Sequence, residues 1–175
     1  MDEIYNKIEA EGLWEDLPTL SRNEFLKVKG SKDTSLYFVV EGCLRIFVED
    51  EFEEKTIRFG YFHNYIAALD SFISEQPSEY YIQALKKTTV RKIGKKNLMK
   101  LIYSDEKYVH FWIEALEQLV FQQLEREKDI LTSSPRERYL RVLKRSPILF
   151  QEVPHKYIAS YLRMTPETLS RMKKS

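Results

Sequence analysis

The residues best placed to do chemistry in this chain lie near its end, in the run VPHKYIASYLRMTPETLSRMKK (153–174). Projected at 3.6 residues per turn, Glu167, Ser170, Arg171 and Lys174 share one helix face, opposite Leu169 and Met172. A carboxylate, a hydroxyl, a guanidinium and an ammonium on one short helix are the groups that read base edges and phosphates in a DNA major groove. His155 and Lys156 open the preceding helix and are candidate phosphate contacts.

That face needs two elements to hold it. Ile158 and Leu162 share the apolar side of a first helix, Ala159 is small enough for two helices to cross closely, and Met164 closes the turn. Thr165 can cap the second helix through its hydroxyl, and Pro166 at the first helical position forfeits no needed amide. The pattern is that of a helix-turn-helix. Any solvated helical hairpin has a charged outer face, so this segment alone leaves DNA binding open. The charge distribution favours it. Residues 135–175 hold ten Lys or Arg against three Asp or Glu, whereas residues 1–134 hold eighteen against twenty-four, so a formal charge of +1 conceals a basic tail beside an acidic body.

The rest of the chain is read as the support for this tail. With 175 residues and 43% hydrophobic content it can bury a core as one domain or two small ones. It has no run of eighteen apolar residues, and a charged start, MDEIYNKIEAEG, in place of a signal segment; a cytoplasmic protein with no membrane contact is expected. The single cysteine, Cys43, excludes an intramolecular disulfide and a four-cysteine metal site, and its neighbours point to a buried strand thiol. Residues 1–26 read as one or two short helices carrying Ile4, Ile8, Leu13, Trp14 and Leu17.

From Glu24 to about Ile93 short β-rich runs alternate with turn signals, predicting an antiparallel sheet closed into a roll. Glu41-Gly42 is a two-residue hairpin turn between Leu36–Val40 and Cys43–Val48, with one face of the second strand in the core. A helix begins near residues 94–97, breaks around Ser104-Asp105 and continues from Glu106 to Leu131. Its apolar stripe includes the seam Val109, Trp112, Leu116, Leu119 and Gln123, which is wider than one sheet face needs and suits a parallel helix from a second copy. Ser133-Ser134-Pro135 is a hinge, and residues 136–149 restart as a helix with Tyr139, Leu140, Val142 and Leu143 inward.

From about Glu24 to Lys174 the chain resembles the Crp/Fnr family of bacterial transcription regulators. The resemblance is carried by NEFLKVKGSKDTSLYFVVEGCLRIF (23–47), the long helix, PRERYLRVL (135–143) and TPETLSR (165–171). SFISEQPSEYYIQALKKT (71–88) is similar to the subgroup of Bacteroides-like bacteria. The resemblance implies an α+β fold: a cyclic-nucleotide-binding-like β-roll (double-stranded β-helix) over 1–104, a dimerisation helix and hinge over 105–134, and a DNA-binding domain over 135–175. It implies Arg171 against a guanine, Glu167 against a cytosine amine, and a homodimer on half-sites about one helical turn apart. The implied partners are duplex DNA, a second copy, RNA polymerase and an unidentified small-molecule effector, with no cofactor.

Departures from the family pattern matter as much. Cyclic-nucleotide binders of the family carry Gly-Glu-Leu where this chain has Ala67-Ala68-Leu69, and Arg-Ser or Arg-Thr where it has Ser78-Glu79. A cyclic phosphate would meet the Glu79 carboxylate instead of a guanidinium, so cyclic AMP is expected not to bind. The aromatics Phe59, Tyr61, Phe62, Tyr65, Phe72, Tyr80 and Tyr81 are read as core before ligand platform. Arg163 stands where such turns usually have a left-handed glycine, at a cost of roughly 1 kcal/mol. No β-wing follows the second helix before Ser175, and PILFQEVP leaves room only for a short strand, so a weaker grip on flanking phosphates is expected. Enzymatic readings find no support: His63, His110 and His155 lack ligand spacing, no Gly-rich phosphate loop precedes a helix, and no serine or cysteine has a nucleophile's context. The competing reading is a β-roll sensor or interaction module whose helix-turn-helix has lost DNA affinity.

Overall fold

The computed structural model describes residues 3–51 and 53–174, the side chains of residues 173 and 174 excepted. The chain opens with α1 (Glu3–Ala10), whose Ile4, Tyr5 and Ile8 are buried. In place of a second helix follows β1 (Glu15–Asp16), pinned when Arg91 binds both Asp16 (2.7 Å) and Glu9 (2.6 Å). Then come β2 (Phe25–Lys27), β3 (Ser35–Glu41), β4 (Cys43–Asp50), β5 (Glu53–Tyr61), β6 (Tyr65–Ile66), α2 (Leu69–Ser74), β7 (Tyr81–Ala84) and β8 (Thr89–Gly94). They form two antiparallel four-stranded sheets, ordered β1-β8-β3-β6 and β2-β7-β4-β5. The apolar residues between them, among them Val39, Leu44, Ile82 and Val90, are buried. The β3–β4 turn needs its glycine: Gly42 has φ +102°, and a Cβ there would lie 2.5 Å from the Lys87 carbonyl.

A helical half follows: α3 (Lys95–Ile102), α4 (Glu106–Leu131), α5 (Pro135–Arg145), α6 (Leu149–Glu152), α7 (His155–Tyr161) and α8 (Pro166–Lys174). The break between α3 and α4 is capped by Asp105, which accepts from the Lys107 amide (3.0 Å). Ser134 caps α5 through the Glu137 amide (3.3 Å), with Pro135 at the first helical position. That helix stops at Arg145, before Pro147, and the PILFQEVP segment makes α6 where a short strand was expected.

Three expectations change with the way the helices pack, two of them because the C-terminal helices lie on the roll. Cys43, Phe59 and Leu85 of the roll share one apolar cluster with Val142, Ile158, Leu162 and Leu169. Strand β4 is therefore buried on both faces from Cys43 to Phe47, against an expectation of one. Tyr139 and Val142 point inward, whereas Leu140 is exposed, because the wall it would meet is formed by α7 and the roll one position away. On α4 part of the seam read from sequence turns toward the body: Val109 and Trp112 pack on the α1 and α3 cluster, and Leu119 is partly buried beside a cavity under the roll, while Gln123 at the edge of that cavity is exposed. The exposed apolar stripe is Ile113, Leu116, Val120, Phe121 and Leu124, to which the seam contributes Leu116.

Candidate functional site

Helices α7 and α8 cross through a turn at Leu162–Thr165. Arg163 takes φ +54° there, the left-handed conformation expected for this position, and its carbonyl accepts from the Arg138 guanidinium (3.2 Å). The Thr165 hydroxyl accepts from the Thr168 amide (3.2 Å), which caps α8. Leu169 is fully buried and Met172 half-buried, and this fixes the rotation of α8 so that Glu167, Ser170 and Arg171 stand exposed. The Glu167 carboxyl is held below its ordinary value by its own backbone amide, the Thr165 hydroxyl and the charge of Arg171. Lys174 ends the helix; its side chain lies outside the described residues. His155 and Lys156 sit apart from this face, at the start of α7, where the Lys156 ammonium lies 4.6 Å from the Tyr157 ring centre.

The other side of α7 is bolted to the roll. The Ser160 hydroxyl accepts from the Thr56 amide (3.1 Å) and donates to the Glu54 carbonyl (3.0 Å). The Arg45 guanidinium lies between the rings of Phe47 (3.9 Å) and Tyr157 (4.3 Å), bonded to Gln83 and Glu54. On the α4–α5 side, buried Asp129 receives Arg141 (3.0 Å) and Arg145. The hinge is thus spanned by ion pairs.

Around α2 the cassette is closed on itself. Ala67, Ala68 and Ser78 are buried, but Glu79 points to solvent and pairs with Lys29 (2.6 Å). The carboxylate that fills the cassette is Asp70. It accepts from the Ser71 amide (2.8 Å), the Ser78 hydroxyl (2.8 Å) and the Glu79 amide (2.7 Å). These are the donors that a phosphate would need. Glu79, read from sequence as the group a phosphate would meet, thus faces solvent, and the carboxylate inside the cassette is Asp70, which the sequence reading passed over. Its signal was available: an acidic residue in the first turn of a short helix, two positions after Ala68.

Between the roll and α4 lies a cavity of about 950 Å³. Ile46, Phe59, Tyr61, Phe72 and Trp112 are among its walls, so some of the aromatics read as core, Phe59 and Phe72 buried in the apolar clusters, also border a space. Arg58, Arg126 and Tyr161, also in the walls, were not singled out from sequence.

An antiparallel roll of two four-stranded sheets, a long helix beside it and a helix pair at the end define the class of fold. The chain belongs to the cyclic nucleotide-binding domain family, whose sequence pattern matches residues 18–105, half of its length. Among curated proteins none matches the sequence. In fold it is similar to FixK2 from Bradyrhizobium japonicum (TM-score 0.75, 16% identity, 92% of this chain and 83% of that one). It is also similar to the c-di-GMP responsive global regulator CLP of Xanthomonas campestris (0.72, 14%, 97% and 90%). A third is the catabolite activator protein of Thermus thermophilus (0.58, 19%, 99% and 82%). These are Crp/Fnr-family regulators. Among the described residues no helix is long and apolar enough to cross a membrane.

Proposed function

We propose that the chain is a homodimeric, sequence-specific DNA-binding transcription regulator of Crp/Fnr type, without enzymatic activity, whose roll does not take cyclic AMP. The observation that carries the reading is α8: a helix rotated by a buried Leu169 so that Glu167, Ser170 and Arg171 face outward together. In this reading α7 and α8 are a helix-turn-helix, residues 135–175 are the DNA-binding domain, and RNA polymerase is a further partner on the promoter. The basic balance of that segment supports phosphate contact, to which Lys156, His155, Thr165 and Lys174 contribute. The exposed stripe Ile113, Leu116, Val120, Phe121 and Leu124 supports pairing with α4 of a second copy. Asp70 inside the cassette supports the loss of cyclic AMP. The run 71–88 keeps its resemblance to the Bacteroides-like subgroup as part of this proposal.

One observation favours a second reading. The bolting of α7 to the roll through Ser160 and Arg45 is also what an interaction module would show if its helix pair had become part of the body. Duplex binding against salt separates the two. A DNA reader loses affinity linearly in log salt, with slope about −0.9 per phosphate neutralised. Arg171→Ala relaxes preference for one base, worth roughly 1–3 kcal/mol, while Lys156→Ala weakens all duplexes alike. Duplex binding that ignores Arg171 removes the sequence-reading claim. Calorimetric titration with cyclic AMP tests the cassette, and saturable micromolar heat would overturn the role given to Asp70.

A further inference from the structure

The hinge and the helix pair meet on a single side chain. Arg138, in the first turn of α5, donates through Nε to the Leu162 carbonyl (3.0 Å), through Nη1 to the Thr132 and Ser133 carbonyls, and through Nη2 to the Arg163 carbonyl (3.2 Å). Thr132 follows the last residue of α4, and Leu162 the last of α7. The final carbonyls of a helix have no donor within it and carry the negative end of its dipole, so one guanidinium meets two such ends at once. Its planar fork of donors suits this, whereas an ammonium is a compact point charge.

Arg138 is not explained by its own helix. A cation in the first turn of α5 opposes that helix's dipole, and the carboxylates of the junction, Glu125 and Asp129, are taken by Arg141 and Arg145. What its bonds stabilise is the turn. Arg163 holds a left-handed backbone at φ +54°, and such a conformation persists where its surroundings fix it. The Tyr161 carbonyl accepts from Arg126 of α4, so three successive carbonyls, 161 to 163, are held by arginines of two helices. Arg126 reaches the end of α7, and Arg138 takes the two carbonyls of the turn itself.

We propose that Arg138 is the positioning residue of α8: by tying the end of α4 to the turn before α8, it fixes the angle between the helix that pairs two copies and the helix that reads DNA, and with it the half-site spacing the dimer accepts. This spacing role rests on the chain being a dimeric DNA reader; the tie itself does not.

Two comparisons of the full chain with its Arg138→Met variant, which keeps the apolar stem and loses every donor, supply the test. In hydrogen exchange without DNA, the amides of Thr132, Arg163 and Met164, each bonded to a backbone carbonyl, exchange about tenfold faster in the variant, while those of Val39 and Ala84 in the roll are unchanged. With duplexes, the unsubstituted chain loses about tenfold in affinity when the half-sites are moved one base pair apart, the variant less than about threefold, and the base preference that Arg171 confers is the same in both. Should Arg138→Met not fold, Arg138→Lys gives the same reading, because the charge remains and the fork is gone. Unchanged exchange at Thr132, or at Arg163 and Met164, overturns the tie. Faster exchange with spacing discrimination intact overturns the positioning role, as does loss of spacing and base preference together, which is general loosening of the helix pair. A chain that binds no duplex fails as a DNA reader and takes the spacing role with it, and the exchange comparison then decides the tie by itself.

Discussion

Arg163 holds a backbone that glycine adopts without steric cost, so Arg163→Gly should raise unfolding stability by roughly 1 kcal/mol, measured by urea denaturation. This residue was legible from sequence because a turn between two helices imposes its conformation whatever the side chain. Cys43 was legible too, as a strand thiol. Burial lifts its pKa to about 12, and the expected outcome is negligible labelling by iodoacetamide at pH 8 in the native protein, with rapid labelling once urea unfolds it. Asp70 and Arg126 were not legible. What singles them out is the partners they have or lack, three amide or hydroxyl donors for one and an orphaned Nη1 for the other, and tertiary packing decides both.

The elements were easier to read than the sides they present. Period 3.6 and a Ser-Asp break predict α3 and α4 closely, yet α4 is apolar around much of its girth. Which stripe faces the roll depends on the shape of the surface beneath, and Val109, Trp112 and Leu119 of the seam turned inward. Strand β4 misled for a related reason: alternation assumes one solvated face, and α7 covers the other. At this scale the α4–α5 junction carries a pH prediction. Glu125 is bound by Lys128 (2.8 Å), Arg141 (3.2 Å) and Arg145, and these hold its carboxyl below the ordinary 4.5. A depressed folded-state pKa gives stability that is present above the unfolded value and lost as pH falls through the folded one. Acid titration should therefore loosen the junction below about pH 4.5, and Glu125→Gln should flatten that part of the stability–pH curve. An unchanged curve would show that Glu125 contributes nothing there.

For the whole molecule, the proposed pairing of two copies rests on the exposed stripe on α4. Val120 and Phe121 are 58% and 57% exposed in the single chain, an arrangement suited to burial against a second helix. Light scattering should give a mass near twice 21.0 kDa for the unsubstituted chain, and Phe121→Glu should give monomer. That variant should also lose at least tenfold in duplex affinity, since two reading helices no longer bind as a unit. A wild-type monomer at micromolar concentration would contradict the pairing. The account stands most directly on one measurement: selection of duplexes from a randomised pool by the full chain. It predicts enrichment of a two-fold-related site, its half-sites about one helical turn apart, with Arg171→Ala erasing a preferred guanine in each. A pool that stays unenriched, or an enriched site that Arg171→Ala leaves intact, would contradict it.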